Sequence, residues 1–277
     1  MPILHAIVLG ITQGLSEFLP ISSSGHLILV PWLFGWHDFA GNKSLEKSFD
    51  AILHLGTFLA AVAYFRHELV VYIRDGLKAA FNRRVRATPD GRLAWLIVLS
   101  ALPAALVGAV GEKAVEDHTG KIPLIAIMLI VFGLVLAWAD RLGGRREMHD
   151  FSVRDALIAG GAQILALQPG VSRSGATITA TRWLGFNRDS AARISFLMSI
   201  PVTGGAAVYK LAKVLNDGIS SSFRAALIAG LIAATISGFL AVWGLLKLVR
   251  THSFTPFVIY RVTAGIVVLI LAATVLN

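Results

Sequence analysis

Six stretches of this chain, at about 51–72, 93–111, 122–139, 194–212, 225–246 and 256–276, are apolar over the length of a membrane span. A helix needs about 20 mostly apolar residues to cross the hydrocarbon core of a bilayer. Taken singly, each stretch would suit a buried helix of a soluble domain, but six in a chain of 277 residues do not. Composition agrees, with 56% hydrophobic residues, 15% charged residues and a mean hydropathy of +0.72, where soluble domains carry about 25% charged residues. Such numbers exclude a dispersed soluble fold and a disordered chain. The absence of cysteine excludes disulfides, thiolate metal sites and cysteine nucleophiles.

The net charge of +9 would admit a nucleic-acid partner, but no basic face interleaved with aromatics is present. The basic residues stand instead in short blocks between apolar runs. One block holds Arg74, Lys78, Arg83, Arg84, Arg86 and Arg92, and two spans later come Arg141, Arg145, Arg146 and Arg154. Arg182, Arg188, Arg193, Lys247 and Arg250 fall on that same side; Lys43, Lys47, Lys113, Lys121, Lys210, Lys213 and Arg224 are spread more thinly over the other. This positive-inside pattern puts the dense blocks in the cytoplasm and both termini outside. Arg66, His67 and Glu68 near the end of the first stretch, and Arg261 about one turn inside the last, are expected to reach the interface with their side chains. Asp140 is likewise expected at an interface. The first residues, Met1 to His5, lack a positive n-region, so no cleavable signal peptide is expected.

Two further apolar regions are interrupted. Residues 3–34 are broken from Glu17 to His26, and residues 156–185 from Gln168 to Gly175, by Pro, Gly and Ser. The flanking pieces are each about half a span. Pro and Gly end helices, and unpaired backbone groups cannot face lipid, so each region reads as a re-entrant helical hairpin whose loop is sheltered by protein. At a constant offset of 150, Gln13 aligns with Gln163, Ser22 with Ser172, Ser24 with Ser174 and Gly25 with Gly175, with Ser23 facing Arg173. A hairpin followed by three spans, twice over, forces the second hairpin to enter from the opposite side. The expected fold is an all-α polytopic membrane protein, with six transmembrane helices, two oppositely oriented re-entrant hairpins and an inverted-topology repeat. It forms one membrane domain over 1–277, with halves 1–140 and 150–277. The two loops then meet in the interior, where helix N-termini favour anions.

Glu17 is the strongest chemical signal, because an ionisable group at membrane depth is costly and rare. Gln13, one helical turn earlier, lies on the same face, so the pair reads as oxygen ligands for a hard divalent cation. Glu17 is otherwise a general base, or a structural partner of Arg173. Ser22, Ser23, Ser24, Gly25 and His26 form a hydroxyl-rich loop whose backbone N–H groups suit phosphate oxygens. Either a serine is the nucleophile, with His26 or Glu17 taking its proton, or His26 attacks or acts as acid while the serines only bind. Arg173 supplies a fixed charge for phosphate, surrounded by the hydroxyls of Ser172, Ser174 and Thr177. His54, at the start of a span, either lines this pocket or is structural, the commoner role. Together these residues suit phosphoryl chemistry on a lipid-borne phosphate, and equally a transporter of an anion or phosphate.

The run Gln13-x-x-x-Glu17 to His26, containing Pro20-Ile21-Ser22-Ser23-Ser24-Gly25, resembles the first signature of the bacterial undecaprenyl-pyrophosphate phosphatase family of the bacitracin-resistance type. Pro169-Gly170-Val171-Ser172-Arg173-Ser174-Gly175-Ala176-Thr177 resembles its second. The resemblance implies a hydrolase that removes the terminal phosphate of C55 isoprenyl pyrophosphate, recycling the cell-wall lipid carrier and conferring bacitracin resistance. It implies an inner-membrane protein with a site reached from the periplasm, and a divalent cation, Mg2+ or Ca2+. It further implies Gln13 and Glu17 as the first-motif pair, Ser23 as the favoured nucleophile or phosphate ligand, His26 as the family histidine and Arg173 as the essential arginine. Gln13 stands where the family has either Glu or Gln, which leaves Glu17 to carry the charge, and Ser24 stands where Thr is frequent. The expected partners are the isoprenyl pyrophosphate substrate and membrane lipids, with no nucleic acid and with a homodimer left open. The rival reading is a secondary transporter or flippase for a lipid-linked or inorganic phosphate.

Overall fold

Residues 1–39, 41–81, 88–217 and 221–275 are described by a computed structural model. Arg83, Arg84 and Arg86 of the first basic block lie outside these residues, as do the side chains of Lys43, Lys113, Lys210 and Lys213. Apart from one isolated bridge between Arg146 and Phe186, the regular structure among the described residues is helical. In chain order the helices are α1 (Ile3–Phe18), α2 (Ser23–Phe34), α3 (Lys43–Tyr64), α4 (Arg66–Phe81), α5 (Pro89–Thr119) and α6 (Ile122–Arg141). They continue as α7 (Val153–Leu165), α8 (Arg173–Trp183), α9 (Arg188–Asp217), α10 (Ser221–Val249) and α11 (Thr255–Val275).

The two interrupted regions are helix–turn–helix units, α1–α2 and α7–α8. Their helices have 16, 12, 13 and 11 residues, each short of the roughly 20 that cross a membrane. Pro20 sets where α1 stops. The residue before a proline is pushed out of the helical region, and Leu19 is extended at φ −64°, ψ 140°. On the other unit, α7 opens with a capping box in which Ser152 and Asp155 satisfy each other's backbone N–H groups.

The protein is a multi-pass membrane protein. Among the described residues four segments are long and apolar enough to cross a membrane: Pro89–Gly108, Ile122–Arg141, Phe223–Val249 and Thr255–Thr274. The expected span at 51–72 is not continuous. It breaks at Phe65, where Ser44–Tyr64 and Arg66–Phe81 meet at 84° and count as a fifth segment only if taken together. At the break Arg66 Nη1 donates to the Ala63 carbonyl at 3.1 Å, satisfying one carbonyl of the last turn of α3. The stretch 194–212 lies within α9, and the side chains of its residues 206–212 are outside the described residues.

Two other expectations are corrected. Asp140 is buried rather than interfacial, accepting from Arg188 Nε at 2.7 Å and from the Phe254 N–H at 3.1 Å. Arg261 does not reach the interface. It is fully buried and donates to the carbonyls of Leu129, Pro20, Gly170 and Val171 at 3.1, 3.0, 2.9 and 3.0 Å, and to Met128 at 3.4 Å. Snorkelling serves a charge whose alternative is lipid; here the two broken regions offer unpaired carbonyls, and a guanidinium with five N–H donors fits them.

Close helix approach holds the frame around these units. Helix α1 lies against α10, and a Cβ added to Gly14 would stand 1.9 Å from Ser237 Oγ and 2.6 Å from the Ala234 carbonyl. At Gly10 it would stand 2.5 Å from the Gly230 carbonyl. Small residues allow membrane helices to pack backbone to backbone. Gly14→Ala is therefore expected to cost about 1–3 kcal/mol through overpacking, read as a lower melting temperature in detergent. Arg261→Met is expected to cost more, at least about 3 kcal/mol, because it leaves several buried carbonyls unpaired. Arg261→Lys, with three donors on one atom, should recover only part of that loss in the same melts.

Candidate active site

The turns of the two units are built alike. Ser22 and Ser172 cap α2 and α8 at φ 79° and 75°, a region that side chains occupy at a cost and only where the surroundings enforce it. Each serine Oγ accepts from the N–H three residues on, Gly25 at 3.4 Å and Gly175 at 3.0 Å, as N-cap serines do. Across the units, Ser22 Oγ also accepts from the Gly170 N–H at 2.9 Å, and Ser174 Oγ donates to the Leu19 carbonyl at 3.1 Å. The N-terminal ends of α2 and α8 are thereby fixed next to each other.

Glu17, in the last turn of α1, is buried at this junction. Arg173 Nη2 donates to its Oε1. Its Oε2 accepts from Ser23 Oγ at 2.5 Å and from Gln13 Nε2 at 3.1 Å, and His54 Nε2 stands 3.9 Å away. One carboxylate thus joins α1, α2, α3 and α8. Stripping either charge from a pair this buried leaves the other uncompensated.

A cavity of about 240 Å3 opens at the pair. Its polar lining includes Glu17, Ser23, Ser24, His54, Gln163 and Arg173, and its apolar wall is made by Ala51, Ala104, Ala166 and Leu167. Ser172 lines it as well. The arrangement therefore offers a hydroxyl held by a carboxylate, a guanidinium and two helix N-termini, beside a wall that suits a hydrocarbon chain. Such ends attract phosphate, and the guanidinium matches phosphate geometry.

The other expected site residues are not among those lining the cavity. His26 is buried with Nδ1 2.7 Å from the Ser22 carbonyl and Nε2 2.6 Å from Tyr260 Oη. A carbonyl only accepts, so Nδ1 carries the proton and the neutral ring's Nε2 accepts from the tyrosine. Thr177 Oγ1 donates back to the Arg173 carbonyl at 2.9 Å and meets Ser195 Oγ at 2.6 Å, which ties α8 to α9. Ser22 Oγ is taken by two N–H groups, as described, and Ser174 by Leu19. Gly25 fits where a Cβ would approach Gly170 N to 3.2 Å.

Three residues belong to the site beyond those the sequence assigns to it. His54, left in the sequence between a lining and a structural role, lines the cavity, with Nδ1 2.8 Å from the Asp50 carbonyl. Gln163 lines it too; its alignment with Gln13 was the available signal. Arg261 grips Pro20 in one turn and Gly170 and Val171 in the other; a charge inside an apolar span is the same signal that singled out Glu17.

Residues 6–267 match the family model described as bacitracin resistance protein BacA. The undecaprenyl-diphosphatase of Geobacter sulfurreducens is 47% identical over 270 residues, covering 96% of this chain and 96% of the relative. That of Pelobacter propionicus is 47% identical over 267 residues, covering 96% and 95%, and that of Moorella thermoacetica 43% over 263 residues, covering 95% of each. With one family model spanning nearly its whole length and relatives this similar from end to end, the chain belongs to the bacitracin resistance protein BacA family.

Proposed function

We propose that this protein is an undecaprenyl-diphosphatase, which hydrolyses undecaprenyl pyrophosphate to undecaprenyl phosphate and inorganic phosphate. The observation that carries this reading is the Ser23–Glu17–Arg173 constellation at a cavity with an apolar wall, in a chain 47% identical to proteins of that name. Removing pyrophosphate from the carrier accounts for the link to bacitracin in the family's description.

The pyrophosphate enters with its terminal phosphoryl group between the two helix N-termini, and the isoprenyl chain leaves along the wall of Ala51, Ala104 and Ala166. Arg173 turns from Glu17 to the phosphoryl oxygens, where it meets charge that grows in the transition state. Ser23 Oγ attacks the terminal phosphorus while its proton passes to Glu17, and the bridging oxygen departs with its electron pair as undecaprenyl phosphate. A hydroxyl already hydrogen-bonded to a carboxylate is the arrangement an activated nucleophile needs. His26 holds the turn from behind through Ser22 and Tyr260, so we assign it to shaping the loop rather than to attack. Ser24 and Ser172, which line the cavity, are the serines best placed to meet phosphate oxygens.

The donor set fits a divalent cation. Gln13 Oε1 is a buried amide oxygen with no partner and Nε2 donates to the Glu17 carboxylate, so a turn of the amide would bring the oxygen beside the carboxylate, and Mg2+ or Ca2+ takes oxygen ligands. Among the described residues no cluster of three or more His, Asp or Glu groups is present, so the substrate's oxygens would complete the shell with Gln13 and Glu17. Bound there, the ion would neutralise pyrophosphate charge.

In the membrane we assign the chain six crossings and two oppositely directed re-entrant units, α1–α2 and α7–α8, in inverted halves 1–140 and 150–277. The matched turns at Ser22 and Ser172 and the basic-residue pattern support this. The protein then lies in the bacterial inner membrane with both termini and the cavity mouth facing the periplasm.

Phosphate release from C55 pyrophosphate by the purified protein in detergent tests the assignment. Ser23→Ala and Arg173→Ala are each expected to lower the rate at least about a thousandfold while the melting transition persists. EDTA should stop release, and Mg2+ or Ca2+ should restore it. Wild-type protein that releases no phosphate with any metal would sink the enzyme assignment in favour of a transporter.

A further inference from the structure

Gln163 sits in α7 on the wall of the cavity, and it is almost completely buried at 2% exposure. Its Nε2 donates to the Ser100 carbonyl of α5 at 3.0 Å. Because that partner only accepts, the amide's orientation is fixed: the nitrogen faces α5 and the oxygen faces away from it. Gln163 Oε1 has no hydrogen-bond partner, and a buried amide oxygen left bare costs about 1–3 kcal/mol. A bare acceptor in a cavity otherwise suited to phosphate needs a donor as its ligand.

The candidates for that donor are few. Phosphoryl oxygens are acceptors, so the substrate's anion does not fill the position. A cation is disfavoured by the Arg173 guanidinium, which lines the same cavity. Of the hydroxyls that line the cavity, that of Ser23 is given to Glu17 and that of Thr203 to the Ser199 carbonyl at 2.7 Å. Water, which needs only two or more polar partners in a space of about 30 Å3, fits.

We propose that Gln163 Oε1 is a catalytic acceptor that holds and orients the hydrolytic water. The step rests on the reading of Ser23 as nucleophile, and it acts on the phosphoserine which that reading requires. The water oxygen forms a bond to phosphorus as the bond from phosphorus to Ser23 Oγ breaks. The electron pair of the broken bond stays on Ser23 Oγ, which takes back the proton that Glu17 received in the first step. Both of the water's protons leave with the phosphoryl group as dihydrogen phosphate, and Glu17 is again a carboxylate. An amide oxygen fixed by its own nitrogen orients a water without itself changing charge, as a glutamine does in some nucleotide hydrolases.

The test uses substrate labelled in its terminal phosphate, with the full chain in detergent and rapid quenching. Gln163→Leu keeps the bulk but removes the acceptor. Its steady rate of phosphate release is expected to fall about a hundredfold, the loss typical of one positioned polar group. Undecaprenyl phosphate should still appear in a first burst of one equivalent per protein, with the label trapped on Ser23; the burst itself shows that the variant is folded. Should Gln163→Leu lose its melting transition, Gln163→Asn, which keeps an amide but withdraws its oxygen, carries the same expectation. A wild-type steady rate in either folded variant would overturn the role, as would a slow rate with neither burst nor labelled protein. Ser23→Ala turning over at the wild-type rate would instead overturn the nucleophile assignment, which is a separate failure.

Discussion

Helix breaks inside an apolar protein strand backbone groups that lipid does not solvate, and the way those groups are satisfied determines everything else at this site. Arg261 takes carbonyls from both breaks at once, Pro20 on one and Gly170 and Val171 on the other. Ser22 takes the Gly170 N–H and Ser174 returns a bond to Leu19. Neither turn is self-sufficient. Each supplies what the other leaves unpaired, so Ser23 and Arg173, the first residues of α2 and α8, arrive next to each other as a consequence of backbone accounting.

The likeness of the two units is broken at instructive places. The residue opposite Gly170 in the 150-residue alignment is Pro20, which has no N–H to give. Ser22 therefore receives a bond across the junction, whereas Ser172 turns to Ser174 Oγ at 3.2 Å. The two glutamines part ways as well. Gln13 spends its nitrogen on Glu17 and Gln163 spends its own on Ser100, yet each is left with a bare oxygen. One glutamine is bonded to the carboxylate and the other lines the cavity, so the same residue type in two related places serves two different needs.

Much of this was legible in the residues. Pro20, Gly170 and the flanking serines announced both breaks, and Glu17 and Arg173 stood out as charges where charge is expensive. Other features were hidden because they depend on partners remote in sequence. Arg261 read as a snorkelling residue, since nothing near it in the chain reveals carbonyls arriving from residues 20 and 170. The bend at Phe65 showed in the sequence only as the run Arg66-His67-Glu68, which reads equally as the interfacial end of a straight span. The hydroxyls of Ser22, Ser174 and Thr177 looked like ligands by type, but type does not say that a backbone group has already claimed them.

The pairing of Glu17 with Arg173 has a consequence for selectivity. The guanidinium is not idle while the cavity waits; it already holds an anion of its own, so an incoming head group must compete with a built-in rival. The phosphodiesters that surround the protein on every side carry a single negative charge, no more than the carboxylate they would displace, and gain little from the exchange. A terminal phosphate bearing two charges does gain. The internal ion pair thus favours a doubly charged terminal phosphate over the singly charged phosphodiesters of the surrounding membrane.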